Sequence, residues 1–235
     1  MMTVLELVIV GGATAFGVAY AVLRLFKWRR EVRLLRTVTS VGRGTRSERR
    51  LILELLKAGF KPSALFHDLY VETSPGRYSQ VDAVLATRVG IVAFEVKEYS
   101  GWLSGRGDQR HWTQVLAYGN AKYRFYNPVL QNRAHFVALR DKLKECAAVP
   151  YFSVVVFYGG CTLMNVSQIP PATFVAYPDE VVSILSRLLQ NEPPAEYADK
   201  WGVVSLLREA VRNGDSEAVR LRHIENIRAD FASPN

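Results

Sequence analysis

The chain has 235 residues with 30 Lys and Arg and 22 Asp and Glu, so its formal net charge is +8. A hydrophobic content of 49% with 16 Gly and 10 Pro excludes disordered, collagen-like and low-complexity classes. Two cysteines, Cys146 and Cys161, are too few for a disulfide framework or a zinc site, which favours free thiols in a reducing compartment. The excess charge lies in residues 24–50, which hold ten basic and two acidic residues, whereas residues 51–235 are close to neutral. The charge distribution therefore indicates a near-neutral domain preceded by a basic segment.

An apolar stretch precedes the basic segment. Residues 7–23 carry no charge, and their apolar neighbours extend the stretch to residues 4–26, close to the ~20 residues that a bilayer requires. A cleaved signal peptide has its positive charge before the apolar stretch, whereas here the charge follows it. We therefore expect a single transmembrane helix, with a signal peptide and a buried helix as the alternatives. The positive-inside rule places the N-terminus outside and the C-terminal domain in the cytoplasm, at the inner (plasma) membrane, with residues 24–50 available to contact anionic headgroups.

Helix and strand signals after this stretch predict an α/β domain. Residues 37–45 are polar and contain two glycines, as expected of a linker, and Ser47 is predicted to cap a helix that ends before Gly59. The elements predicted next are, in chain order, strands over 64–71, 78–86 and 91–99, short strands within 101–113, a helix over 127–145, strands over 152–158 and 173–176, and helices over 179–189, 200–212 and 216–231. This order predicts a mixed central sheet flanked by helices. The predicted division of the chain is an anchor (1–26), a basic segment and linker (27–46), an α/β domain (47–190) and a helical C-terminal extension (191–235).

The second and third of these strands bring charged side chains into a strongly apolar run. A hairpin loop at residues 87–90 would place Asp82 directly opposite Glu95. Lys97 shares the face of Glu95, because strand side chains alternate between the two faces. Two facing carboxylates are unfavourable unless a cation compensates them, and Mg²⁺ takes one or two carboxylates together with water and phosphate. The spacing alone allows metal-assisted phosphodiester hydrolysis, but it equally allows an exposed sheet face with Glu95 and Lys97 as a surface pair.

The order of an acidic residue, a hairpin and Glu-x-Lys resembles the PD-(D/E)XK nuclease superfamily, and its surroundings resemble the nuclease-related domain, NERD. The resemblance covers residues 42–144. The motifs that carry it are the first helix with Glu48, His67-Asp68-Leu69, Gln80-Val81-Asp82, Phe94-Glu95-Val96-Lys97, Tyr99-Ser100-Gly101-Trp102, Trp112-x-Gln114, Asn127-Pro128-Val129-Leu130-Gln131-Asn132 and His135. The resemblance implies a restriction-endonuclease-like core, and membrane-anchored members of the family are consistent with the apolar N-terminal stretch.

The resemblance also implies the roles of the hairpin residues. It implies a nuclease that depends on Mg²⁺ (or Mn²⁺), with Asp82, Glu95 and the Val96 carbonyl as metal ligands. Lys97 would orient or activate the attacking water and stabilise the developing negative charge.

Three helix residues belong to the same resemblance. Gln131 and His135 lie four residues apart on one helix face and resemble the Gln-x-x-x-Tyr motif of related nucleases, with His in place of Tyr. Gln131 is therefore assigned to the site, whereas His135 is either an accessory residue or an ordinary helix histidine. Glu48 stands where the family often has a Gly-Glu pair, but Ser47 precedes it here, and a surface glutamate is an equally good interpretation.

Basic and aromatic residues surround these motifs in the sequence. The basic residues are Arg106, Arg110, Lys122, Arg124 and Arg133, and the aromatic ones are Trp112, Tyr123, Phe125 and Tyr126. Such residues can contact phosphates and stack on bases, or form a solvated loop whose aromatics lie in the core. The sequence thus predicts a membrane-anchored, metal-dependent nuclease that acts on DNA or RNA. The alternatives are an inactive nucleic-acid-binding or scaffold module on a nuclease fold, which the near-neutral domain favours, and a membrane-organising protein that binds through its basic segment.

Overall fold

A computed structural model describes residues 4–116, 119–146 and 148–232, with side chains described between residues 16 and 229 of these ranges. The helices described are α1 (Val4–Leu35), α2 (Arg46–Lys57), α3 (Pro128–Leu143), α4 (Val181–Asn191), α5 (Lys200–Asn213) and α6 (Glu217–Ala232). The strands described are β1 (Leu65–Ser74), β2 (Arg77–Thr87), β3 (Gly90–Glu98), β4 (Trp102–Arg106), β5 (His111–Leu116), β6 (Ala121–Tyr126), β7 (Tyr151–Tyr158), β8 (Thr162–Ser167) and β9 (Thr173–Ala176). Short 3₁₀ turns precede β1 and α4.

Two mixed sheets form the strand layers. The larger sheet has the order β1-β2-β3-β7-β9, in which β1, β2 and β3 are antiparallel and β7 and β9 continue in parallel. The smaller sheet has the order β6-β5-β4-β8 and is antiparallel except for the β4–β8 pair. The predicted mixed α/β class is confirmed. The smaller sheet was not predicted as a unit, because β6 and β8 expose most of their side chains and therefore lack the alternating apolar pattern of a half-buried strand.

The larger sheet is buried on both faces. Helices α2 and α4 cover one face, where Leu55 and Leu185 pack against Phe94. Helices α3 and α5 cover the other face, where Leu139 and Leu207 pack in a second cluster. Strands β3 and β7 lie inside the sheet and are covered on both sides, which explains their nearly continuous apolar sequences.

A change of face in β1 and β2 positions the candidate site. Leu65 and Leu69 are four residues apart and would share a face in a regular strand, yet they pack in the two opposite clusters. Asp68, which lies between them, has a φ of 54°, so its left-handed backbone reverses the alternation. In β2 the same reversal separates Val81 from Ala83. The regular ladder is therefore interrupted next to Asp82.

The start of α2 differs from the prediction. Thr45, rather than Ser47, is the N-cap, and its hydroxyl accepts a hydrogen bond from the Glu48 N–H. Ser47 instead donates to the Glu98 carboxylate at 2.9 Å. The prediction of Ser47 was wrong because either hydroxyl suits the sequence signal, and only the backbone conformation decides which residue caps the helix.

The N-terminal helix extends into the basic segment. Helix α1 continues to Leu35, so residues 24–35 are helical, and the Lys57–Glu31 ion pair at 2.6 Å joins α1 to α2. The predicted span at residues 4–26 falls largely outside the described side chains, which begin at residue 16. Among the residues that the structure describes, no helix combines the length and the apolar character that a membrane crossing requires.

Two adjacent glycines follow β7, and the first of them lies close to the backbone of Tyr99. Gly159 has a φ of 89°, and a Cβ there would lie 2.3 Å from the Tyr99 carbonyl oxygen. Gly160 has a φ of 73°, but a Cβ there would meet no atom within 4 Å.

We expect Gly159→Ala to destabilise the protein more than Gly160→Ala. Both substitutions impose a left-handed backbone on alanine, at about 1 kcal/mol each. Gly159→Ala adds a backbone clash, which should cost about 2 kcal/mol more. Chemical unfolding measures both values, and equal losses for the two variants would contradict the close approach.

Candidate active site

A buried carboxylate, Glu95, lies at the centre of the site. It is 1% exposed, because β3 is an interior strand and α3 covers its face. Its Oε1 lies 2.6 Å from the Lys97 ammonium, and its Oε2 lies 3.4 Å from Nε2 of His135. Oε2 is buried without a hydrogen-bond partner. The site therefore contains a buried anion whose second oxygen remains available for a ligand.

Asp82 lies in the gap where β2 and β3 separate. The strands pair in the predicted register, but pairing ends at Ala83–Phe94, one pair short of the predicted Asp82–Glu95 pair. The Asp82 Oδ2 instead accepts a hydrogen bond from the Val96 N–H at 2.7 Å. The two carboxylates are thus neighbours at the end of the ladder rather than a direct cross-strand pair.

Helix α3 supplies the opposite wall of the site. Asn127 caps the helix, and Pro128 follows at its first position, as the sequence predicts. Gln131 Oε1 accepts from the Lys97 ammonium at 3.0 Å, and His135 Nδ1 lies 2.8 Å from the Ser79 hydroxyl. The structure therefore brings both helix residues to the Glu95–Lys97 pair: Gln131 contacts Lys97, and His135 contacts Glu95.

The charges of these groups are strongly coupled. Burial and the nearby Glu95 carboxylate raise the pKa of Asp82 well above its ordinary value. Burial alone would raise the pKa of Glu95, but its contacts with His135 and Lys97 lower it overall. Burial alone would lower the pKa of Lys97, but Glu95 raises it. At neutral pH, Lys97 is therefore an ammonium ion and Glu95 a carboxylate.

Oxygen donors from the hairpin fit a hard divalent cation. The Val96 N–H points toward Asp82, and the carbonyl of the same strand residue points to the same side. Together with the unpartnered Oε2 of Glu95, these are ligands of the type that Mg²⁺ binds. The described residues contain no group of three or more His, Cys, Asp or Glu side chains that could hold a metal ion. Two carboxylates plus water or phosphate are nevertheless sufficient for Mg²⁺.

Glu48 is buried rather than exposed, which contradicts its interpretation as a surface glutamate. It is 4% exposed, accepts a 2.7 Å hydrogen bond from Thr45, and its Oε2 lies 3.3 Å from His67 Nε2. His67 Nδ1 in turn lies 2.8 Å from the Thr39 hydroxyl. The Glu48 charge contributes to the raised pKa of Asp82, after burial and Glu95. Glu48 therefore lies close enough to affect the site, and His67 holds it in place.

A cleft with a volume of about 370 Å³ opens beside these residues. Its lining combines three predicted site residues with residues that the sequence analysis did not identify. The lining residues are Thr73, Arg77, Tyr78, Ser79, Gln80, Asp82, Gln131, His135, His223, Asn226 and Ile227. The polar start of β2 contains no recognisable motif except Gln80, and α6 lies far from it in the sequence. Only the tertiary structure shows that both elements line the cleft.

The five predicted nucleic-acid contacts do not line the cleft. All five are exposed, and Arg106 is engaged by Asp108 in two hydrogen bonds. Lys122 and Arg124 lie on β6, an edge strand of the smaller sheet. Arg133 lines a separate cavity near Phe136.

The aromatic residues of this stretch divide into two groups. Trp112 is fully buried and stacks on Phe157 with ring centroids 5.9 Å apart, and Phe125 packs beside it. Tyr123 and Tyr126 are 55% and 45% exposed on β6. The core interpretation therefore holds for Trp112 and Phe125, whereas the two tyrosines are accessible for stacking.

Comparisons with known proteins find similarities in the central part of the chain. Residues 43–158 match the family model for the nuclease-related domain (NERD). The match contains Asp82, Glu95 and Lys97 and ends with β7. The chain is also 24% identical over 189 residues to an uncharacterized protein of Bacillus anthracis, covering 78% of this chain and 84% of the relative. No solved structure matches the chain significantly.

We expect Asp82→Asn and Glu95→Gln to change stability in opposite directions in the metal-free protein. At neutral pH Asp82→Asn should raise the free energy of unfolding, because it removes a charge that folding disfavours. This gain should shrink as the pH falls toward about 4, the ordinary pKa of an aspartate, because Asp82 of the unmodified protein is then protonated in both the folded and the unfolded state. Glu95→Gln should lower stability, because folding favours the Glu95 charge, and the loss should persist until the pH falls below the lowered pKa.

Unfolding in EDTA across this pH range measures both effects. Glu145→Gln, at an exposed position, is the matched control. Two variants that shift stability in the same direction would contradict the assigned charges.

Proposed function

We propose that the chain is a metal-dependent nuclease with a PD-(D/E)XK-like active site that hydrolyses phosphodiester bonds in DNA or RNA. The observation that carries the proposal is the buried Glu95 carboxylate, which is held by Lys97 and lies next to Asp82, a residue that lines an open cleft. A nuclease-related domain over the same residues supports it. Perturbed ionisable groups that converge beside a cleft are typical of catalytic sites.

Each carboxylate of the hairpin has a defined part in this proposal. Asp82, Glu95 and the Val96 carbonyl would hold Mg²⁺ or Mn²⁺. When bound, the cation supplies an acidified water and neutralises phosphate charge. Asp82 is also fixed by the Val96 N–H, so its carboxylate remains in the gap between the strands.

Lys97 is assigned to charge stabilisation. Its raised pKa keeps the ammonium protonated, so it is suited to donate hydrogen bonds to the phosphate rather than to accept a proton from water. Gln131 accepts a 3.0 Å hydrogen bond from the ammonium and thereby fixes its orientation. His135 is oriented through Nδ1 by Ser79, lies with Nε2 3.4 Å from Glu95 and lines the cleft, so it is suited to hold a water or a phosphate oxygen there.

Cleavage assays on the full chain test this proposal. With Mg²⁺ or Mn²⁺, we expect single- or double-stranded DNA or RNA to be cut, and EDTA to stop the reaction. Glu95→Gln and Lys97→Met should each reduce the rate by about 10²-fold or more, because each removes a charge from the reacting centre. Lys142→Met, which removes a surface lysine paired with Glu209, should leave the rate unchanged.

A catalytically inactive binding or scaffold module is the second candidate. The near-neutral charge of residues 51–235 favours it, and so does the position of the five predicted nucleic-acid contacts outside the cleft lining. In this case oligonucleotides would bind without cleavage, and Glu95→Gln and Lys97→Met would not change their affinity. Lys122→Ala and Arg124→Ala would instead weaken binding and reduce its salt dependence.

We also propose that residues 4–26 anchor the chain in a membrane. The charge-free stretch at 7–23 supports this, together with exposed apolar side chains on the described part of α1, such as Phe16, Leu23 and Phe26. The basic residues from Arg24 onward would face anionic headgroups.

Membrane extraction tests the anchor. We expect the full chain to remain with the membrane fraction at high salt and alkaline pH, and to be released by detergent. Replacing Val8, Val10 and Phe16 by Asp should release it. Release of the unmodified chain by salt alone would indicate electrostatic attachment and contradict the anchor.

A further inference from the structure

Helix α6 contributes a wall to the cleft, although it lies 59 residues beyond the end of the nuclease-related match. His223, Asn226 and Ile227 line the cleft together with Gln131 and His135 of α3. Strand β2 contributes the remaining lining at residues 77–80 and at Asp82. The shape of the cleft therefore depends on the C-terminal extension as well as on the matched domain.

Polar contacts fix α6 to the β1–β2 hairpin. The Nδ1 atom of His223 lies 2.8 Å from the Tyr78 carbonyl oxygen, and the Asn226 amide donates to the Gly76 carbonyl at 3.1 Å. The His223 ring also meets the Tyr70 ring edge to face, with centroids 5.4 Å apart. None of the described side chains of α6 is buried. A few specific contacts, rather than an apolar core, hold this wall in place.

The Nε2 atom of His223 is the ring nitrogen left for a ligand. Because a carbonyl oxygen can only accept, Nδ1 donates to it, and Nε2 is left as an acceptor. His135, oriented by Ser79, lines the same cleft. With Arg77 in the lining, the walls are suited to the phosphates of a strand that passes between them.

We propose that α6 selects the substrate, so that the cleft admits one unpaired nucleic-acid strand and excludes a duplex. This inference rests on the proposed nuclease function. A volume of about 370 Å³ suits a ligand of roughly drug or nucleotide size. A base-paired nucleotide can enter such a space only after it leaves its stack, which costs free energy, whereas an unpaired strand enters directly. Because His223, Asn226 and Ile227 belong to the lining, α6 limits the space that a second strand could occupy.

The test compares a single-stranded oligonucleotide with the same sequence in a duplex, in the full chain with Mg²⁺. The unmodified chain should cut the single strand at least about tenfold faster, measured as kcat/KM. His223→Ala with Asn226→Ala should loosen α6 and reduce that preference by about tenfold, mainly through faster duplex cleavage. Leu221→Ala, on the exposed side of the same helix, is the control and should leave the preference unchanged.

Hydrogen exchange of residues 217–232 shows whether the double variant has loosened the helix. If α6 is loosened but the preference for the single strand is unchanged, the inference is overturned. An equal rise in the cleavage rate of both substrates would also overturn it, because α6 would then restrict access without selecting the strand. If the double variant does not fold, Ile227→Trp replaces it. This change narrows the cleft and should reduce single-strand cleavage by about tenfold.

Binding of labelled oligonucleotides in EDTA separates this inference from the proposed nuclease activity. A preference for binding the single strand that the double variant removes by admitting the duplex, without any cleavage, would support the wall and contradict the nuclease. Cleavage without strand preference would support the nuclease and overturn the wall. A chain that neither binds nor cleaves either substrate would contradict both.

Discussion

The burial of the Glu95 carboxylate is the constraint on which the site depends. A charge inside a protein costs several kcal/mol unless nearby groups compensate it. Lys97 compensates from the same strand and His135 from α3, so the sheet and the helix must dock correctly for the charge to be tolerated. Asp82 is compensated less: the Val96 N–H and Lys97 favour its charge, but burial and the Glu95 carboxylate still raise its pKa. Two neighbouring buried carboxylates, which a cation would stabilise, are the physical basis of the nuclease proposal.

The geometry around this charge arises from an interruption of regular structure. The left-handed Asp68 reverses the faces of β1, and β2 follows, so the β2–β3 ladder ends just before the site. Arg43 and Gln80 both bond the Asp68 carboxylate, which holds the reversal in place. The released N–H of Val96 then binds Asp82. Local irregularity thus frees backbone groups that a continuous ladder would have used.

The sequence predicted what depends on local patterns. The hairpin register, the cap of α3 by Asn127 and the shared face of Gln131 and His135 follow from periodicity and turn chemistry, and the structure agrees with them. The burial of Glu48 could not be predicted, because its partner His67 lies on another element. The contribution of α6 was also beyond local patterns, since His223 and Asn226 reach the hairpin only through tertiary packing. The reversal at Asp68 was missed because a non-glycine residue seldom adopts a positive φ within a strand.

The proposed site requires Asp82 and Glu95 to share one divalent cation. A crystal structure of the full chain with Mn²⁺, in which anomalous scattering locates the ion, tests this sharing. We expect one strong peak about 2.2 Å from an oxygen of each carboxylate, close to the Val96 carbonyl, and no peak there in Asp82→Asn. Absence of a peak at saturating Mn²⁺, or an ion bound elsewhere with both carboxylates unchanged, would contradict it.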